Sequence, residues 1–196
     1  MSKEFTALPY EQLRAGTSYH RPPQKLAERV GANDPATEVM TDFTQVSAMT
    51  IGPCANLAEV EQRMIASEVR LLLVTDQNNQ VLGLITTTDL QGEKPMKYLQ
   101  EVGGKREEIF VRDIMTPQEK LDVLYMDNVR RARVGDIVET LKRVGRQHAL
   151  VVDRDEAGDQ IVRGIFSTTQ ISRQLGVNVE PAEVAKTFAE LEAALD

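Results

Sequence analysis

The chain is short of the residues that build several common kinds of site. Of 196 residues, one is cysteine (Cys54) and two are histidine (His20 and His148). A single cysteine excludes an intramolecular disulfide and fits a reducing, cytoplasmic setting. Two histidines far apart, with no cysteine partners, make no transition-metal set. Basic residues are outnumbered, 23 to 30, for a net charge of −7 and a pI near 5.0. That balance argues against a general nucleic-acid or anionic-membrane binder, each of which needs a broad basic face, while leaving room for a local basic pocket. No apolar run approaches the 18 residues of a membrane span. Met1–Phe5 lacks the apolar stretch of a secretory signal. Neither a glycine-rich phosphate loop nor a Gly-x-Ser-x-Gly elbow occurs. Asp153, Asp155, Gly158 and Asp159 hint at a calcium loop, but Ala157 and Gly164 stand where that loop needs an oxygen ligand and a glutamate. The expectation is a protein that is not an enzyme.

What the chain does have is a statement made twice. Met40-Thr41 recurs as Met115-Thr116, and Leu71–Asp76 recurs as His148–Asp153. Gly83-Leu84-Ile85-Thr86-Thr87-Thr88-Asp89-Leu90 recurs as Gly164-Ile165-Phe166-Ser167-Thr168-Thr169-Gln170-Ile171. The offset drifts only where loops change length. An internal repeat of this kind means two similar halves, each too small for a robust core of its own, packed as a pair with a cleft between them.

Within each copy the hydrophobic pattern reads β-α-β-β-α. Leu57, Val60, Met64 and Ile65 form a helical stripe behind Asn56, a good N-cap. Leu71–Thr75 and Val81–Thr86 are strand-like runs separated by turn chemistry at 76–80. Thr87-Thr88-Asp89 offers helix-start residues. In the second copy Val134, Ile137, Val138, Leu141 and Val144 form the stripe, followed by strands over 149–152 and 161–167 and a helix over 168–175. Lys97–Val102 is expected to be helical and to stop at Gly103-Gly104; Lys25–Val30 is another short helix candidate. The tail, with Pro181, Val184, Phe188, Leu191 and Leu195, reads as an amphipathic helix. The expected organisation is an N-terminal extension over 1–36, a first repeat over 37–93, a linker over 94–111, a second repeat over 112–176 and a C-terminal helix over 177–196.

The set Val39-Met40-Thr41, Thr50-Ile51-Gly52-Pro53, Val74-Thr75-Asp76 and Gly83–Leu90, followed by its second copy from Asp113 to Ile171, resembles a tandem pair of cystathionine-β-synthase (CBS) domains, a Bateman module. The resemblance covers roughly residues 38–175. It implies an α+β fold of two repeats with pseudo-twofold symmetry and two clefts able to take adenosine-containing ligands. AMP, ADP, ATP and S-adenosylmethionine are the candidates. It further implies a homodimer and a regulatory role toward an unidentified protein partner; a structural module with vestigial clefts is the alternative.

The resemblance assigns the first-copy Asp89 to the ribose hydroxyls and Thr86 to phosphate. A carboxylate suits the first task because it accepts at two oxygens and donates at none. The competing reading is that Thr87-Thr88-Asp89 caps a helix. In the second copy Ser167 keeps the hydroxyl, but Gln170 replaces the acid, so one site per chain is expected. Ile51 stands where the family places an apolar residue against adenine, and a core role is equally open. The corresponding second-copy stretch is taken as Met126-Asp127-Asn128. Arg70, Arg146 and His148, at or just before equivalent strands, are candidate phosphate contacts, with a solvated face as the other reading.

Overall fold

The computed structural model describes residues 26–179, together with Gln12, Arg14 and Thr17. The first copy opens on a two-residue strand, β1 (Thr41–Asp42). It continues through β2 (Thr50–Ile51), α1 (Leu57–Ala66), β3 (Leu71–Thr75), β4 (Val81–Thr86) and α2 (Thr87–Gln91). Two connecting helices follow, α3 (Lys94–Val102) and α4 (Val111–Ile114). The second copy comprises β5 (Thr116–Pro117), β6 (Val123–Tyr125), α5 (Met126–Val129), α6 (Val134–Arg143), β7 (His148–Arg154), β8 (Gln160–Ser167) and α7 (Thr168–Leu175). The β-α-β-β-α order expected of each copy is present, with α5 added in the second. Residues 26–30 are not helical. Instead Val30 donates its N–H to the Gln174 carbonyl and packs against the second copy's core. The expected C-terminal helix lies outside the described residues beyond Val179.

The two copies are interlocked by strand exchange. One sheet runs β1-β8-β7-β6 and the other β2-β3-β4-β5, so each copy lends its opening strand to the other's sheet. The exchange is symmetric residue for residue. Thr41 lies opposite Ile165 and Asp42 opposite Gly164; Thr116 lies opposite Leu84 and Pro117 opposite Gly83. The helical turns before these strands cross over too. Ala36 donates to the Ala132 carbonyl and Val111 to the Ala55 carbonyl. Ala36, Val39 and Met40 therefore sit in the second copy's core, and Ile109, Val111 and Ile114 in the first copy's core.

This crossing explains both repeated glycines. A Cβ on Gly83 would lie 2.3 Å from the Thr116 carbonyl oxygen, and one on Gly164 2.5 Å from that of Thr41. Only a residue without a side chain admits a backbone so close. The β1 crossing is further fastened by a bidentate pair, Arg163 Nε to Asp42 Oδ1 at 2.8 Å and Nη2 to Oδ2 at 2.9 Å. The Arg163 guanidinium holds the Asp42 carboxyl well below the usual carboxylate range.

Local chemistry fixes the helix ends. Asn56 and Glu59 form a reciprocal capping box at the start of α1. Leu57, Val60 and Met64 are buried, whereas Ile65 is 77% exposed. Ile65 follows Met64 by about 100° around the helix and so leaves the i, i+3, i+7 face. In α6, Val134, Ile137 and Leu141 are buried and Val144, just past the helix, is not. The expected stop after 102 occurs at Gly103, with φ of +81°, while the helix itself begins three residues earlier than expected, at Lys94.

The registers also fix which residues correspond. Parallel pairing sets Thr50 opposite Leu73 and Val123 opposite Leu150. The second-copy counterpart of Thr50-Ile51 is therefore Val123-Leu124, not the Met126-Asp127-Asn128 stretch. The inserted α5 obscures that alignment in the bare sequence.

Candidate ligand cleft

Between the two sheets lies a cavity of about 420 Å³. Its apolar lining comes from Phe43, Val46 and Met49 after β1, Leu73 on β3 and Ile165 on β8. Polar lining groups include the hydroxyls of Ser67, Ser167 and Thr169 and the Gln170 amide. Three nitrogen-rich side chains edge it: Arg70, His148 and Arg173. Arg70 is steered by a hydrogen bond from Nη1 to Thr169 Oγ1 at 3.4 Å. A part-apolar concavity with a few converging polar groups and two guanidiniums is the shape and charge of a site for a flat anionic ligand.

The cavity's inner end is closed by a polar chain. Thr41 Oγ1 donates to Gln170 Oε1, and Gln170 Nε2 donates to the Val39 carbonyl and to Gln174 Oε1, all at 3.3 Å. Gln174 Nε2 in turn donates to the Ala27 and Glu38 carbonyls, at 2.7 and 3.1 Å. An amide can do this because it carries both an acceptor and two donors. Gln170 thus clasps the crossing segment 38–41 to α7.

The counterpart position in the first copy uses different chemistry. Asp89 is buried and caps α2, its Oδ2 accepting from both the Thr86 N–H and the Thr86 hydroxyl at 2.8 Å. Its Oδ1 lies 2.6 Å from Lys94 Nζ. Lys94 Nζ also donates to the Ile114 carbonyl (3.1 Å) and to Thr116 Oγ1 (3.2 Å). Ile114 and Thr116 are the repeat equivalents of Val39 and Thr41, so the Asp89–Lys94 pair clasps the second crossing strand as Gln170 clasps the first.

His148, on β7 opposite Ser167, lines the cavity. Its pKa is pushed down to about 4, chiefly by burial and then by the Arg70 charge, against an opposing pull from Asp89. It enters the cavity as a neutral imidazole, able to donate at one nitrogen and accept at the other.

Of the residues singled out in the sequence, Arg70, His148, Ser167 and Gln170 converge on the cavity. Thr86 and Asp89 sit together in the counterpart cleft. Ile51 faces neither; it lines an open depression of about 460 Å³ with Pro53, Arg63 and Asp76 and packs in part against the first core. Arg146 turns to the Lys120 carbonyl at 3.3 Å and to Asp122 at 3.2 Å. Sequence reasoning missed Ser67, Thr169, Arg173 and Lys94. Arg173 follows Gln170 by three, so helical phase alone carried the signal. Lys94 carried none, because it begins a new helix after the break at Gly92 and reaches back.

With this geometry in place the comparisons are direct. Residues 36–93 match the family model of the CBS domain. Three solved structures share the fold. CBSX2 in complex with AMP is 21% identical, with a TM-score of 0.51 over 71% of this chain and 94% of that one. An uncharacterised conserved protein from Pyrococcus horikoshii is 20% identical, with 0.50 over 72% and 92%. A CBS-domain containing protein from Agrobacterium tumefaciens is 19% identical, with 0.51 over 73% and 93%. No curated protein sequence matches the chain. The chain thus carries a CBS-domain match over residues 36–93 and shares the fold of solved CBS-domain structures. No described helix is long and apolar enough to cross a membrane.

Proposed function

We propose that this module is a regulatory sensor that takes an adenine nucleotide or adenosyl compound into the 420 Å³ cavity and relays its occupancy to a protein partner. The observation that carries the reading is the convergence of Arg70 and Arg173 with three hydroxyls and several apolar side chains on one cavity. The guanidiniums suit a phosphate, the hydroxyls and the Gln170 amide suit a ribose, and Met49, Ile165 and Phe43 suit a base. The AMP bound to the similarly folded CBSX2 supports the same ligand class. AMP, ADP, ATP and S-adenosylmethionine are the compounds to titrate calorimetrically, and one site per chain is expected. Arg70→Ala should weaken AMP binding about 10- to 100-fold, the loss of one charge-assisted contact worth about 1.5–3 kcal/mol. Adenosine binding as tightly as AMP, or an unaffected Arg70→Ala, would refute the phosphate assignment.

Homodimerisation forms part of this proposal. Ile65 on α1 and Val144 after α6 leave 77% and 50% of their surface exposed, apolar area that self-association through the repeat helices would cover. Light scattering on the full chain tests it, and a monomer refutes it.

A second reading has its own observation. Both motif positions are engaged as internal clasps, Gln170 to Val39 and Thr41, Asp89 to Thr86 and Lys94. A structural or interaction module with vestigial clefts needs nothing more of them. Absence of binding in the titrations would favour that reading.

A further inference from the structure

We infer that Lys94 is a built-in occupant of the first cleft, and that it confines ligand to the cavity beside Gln170. The inference rests on the nucleotide reading given above. The repeat symmetry identifies the place. Thr41 and Gln170 line the cavity, and their equivalents are Thr116 and Asp89. Lys94 Nζ touches both of those equivalents, at 3.2 and 2.6 Å, and also the Ile114 carbonyl at 3.1 Å. An ammonium has three N–H donors, and here three acceptors on three different elements receive them. Among the described residues no cation does this in the second copy, where Gln170 alone meets Val39 and Thr41. The position equivalent to Lys94 is Leu175, which packs partly against the second core.

The chemical consequence follows from charge. A carboxylate facing an open cleft can accept from two ligand hydroxyls. Asp89 already takes two Thr86 donors on Oδ2 and a cation on Oδ1. A neutral sugar edge would have to displace an ammonium whose three contacts are all intramolecular, and it brings only hydroxyl donors in exchange. In the second cleft the amide of Gln170 makes contacts of 3.3 Å, longer than the 2.6 Å ion pair and easier to rearrange. Lys94 therefore decides the number of sites per chain.

The test is calorimetric titration of the full-length chain with AMP. Wild type should bind one AMP per chain and Lys94→Ala two. Ser67→Trp, which fills the cavity, should bind none, and Ser67→Trp combined with Lys94→Ala one. Lys94→Gln, which keeps a neutral donor, provides a second version, and thermal melts report that each variant is folded. Two AMP per wild-type chain, or a folded Lys94→Ala chain that still binds one, would overturn the inference. So would unfolding of both Lys94 variants, since the ammonium would then be a strut and not an occupant. No binding to wild type with one AMP on Lys94→Ala would uphold Lys94 as the occupant of the first cleft but overturn the confinement to the cavity, refuting the cavity as the nucleotide site. No binding to either chain would refute both.

Discussion

The strand exchange makes a sharp prediction at Gly164. Its hypothetical Cβ lies 2.5 Å from the Thr41 carbonyl oxygen and 3.3 Å from two Met40 side-chain atoms. Reaching an ordinary C···O separation of about 3.3 Å requires β1 to retreat by roughly 0.8 Å. The neighbouring bond from the Phe43 N–H to the Arg163 carbonyl, now 2.8 Å, would stretch past the hydrogen-bonding range. Overpacking of this kind costs about 1–3 kcal/mol, and a lost hydrogen bond adds about 1 kcal/mol. For a chain of this size, Gly164→Ala should lower the melting temperature by roughly 5–15 °C. Gly83→Ala should do the same at the other crossing, where the clash is with backbone at 2.3 Å. Gly52→Ala is the control, because nothing lies within 4 Å of its Cβ position and its φ is not positive. It should be neutral, or stabilising by up to about 1 kcal/mol. Circular dichroism melts and urea titrations of the three variants suffice. If Gly164→Ala and Gly83→Ala both melt with Gly52→Ala, the close crossing is not what the glycines serve. Because β1 carries Thr41 into the cavity wall, Gly164→Ala should also weaken ligand binding, and Gly83→Ala should not.

Three further outcomes are expected. His148 has a folded pKa near 4 against about 6.5 unfolded; below pH 6.5 the unfolded chain takes a proton that the folded chain refuses, so stability falls toward pH 4 at up to about 1.4 kcal/mol per unit. His148→Gln should remove that share of the slope in urea titrations at pH 5 and 7, and an unchanged pH dependence would refute the assignment. Gln170→Asp should destabilise by about 1–3 kcal/mol, since it removes the donor to the Val39 carbonyl; adding Leu175→Lys, which rebuilds the Asp89–Lys94 arrangement, should recover part of the loss in the same melts, and no recovery would refute the equivalence of the two clasps. Glu68→Gly should tighten AMP binding in calorimetry, because Glu68 lines the cavity as an acid and holds a left-handed φ of +53° where the second copy has Gly145; an equal or weaker affinity would contradict the charge argument.

Much of the architecture could be read from periodicity. The stripe Leu57, Val60, Met64, the runs at β3 and β4 and the threonines opening α2 each announce one element, and their recurrence announces the pair. The strand exchange could not be read that way. β1 and β5 are two residues long, too short for any alternation, and their pairing depends on contacts more than 120 positions apart in one case. Nor could the packing of 30–40 onto the second copy, which rests on backbone donors such as Val30 and Ala36 that carry no side-chain signature. The cavity was half legible. Arg70, His148 and Ser167 were visible because they stand at strand ends, whereas Ser67 and Thr169 reach it only through the docking of the two sheets.

The motif itself misleads in an instructive way. Thr86–Asp89 has the intact Thr-x-x-Asp pattern, and Ser167–Gln170 has lost its acid, yet the described cavity of about 420 Å³ lies beside the altered copy. The reason is that each position answers two demands at once. The carbonyl of Val39 or Ile114, on a buried residue, needs a donor, and the neighbouring, partly buried Thr41 or Thr116 hydroxyl takes a partner. A carboxylate cannot donate to that carbonyl, so Asp89 is accompanied by Lys94. A glutamine supplies donor and acceptor in one group, so Gln170 needs no cation and its counterpart of Lys94 is free to be Leu175. The change from acid to amide therefore goes with the loss of a pair of opposite charges and one long side chain from the cleft. Four residues of motif do not reveal that trade; the fifth, from the next helix, does.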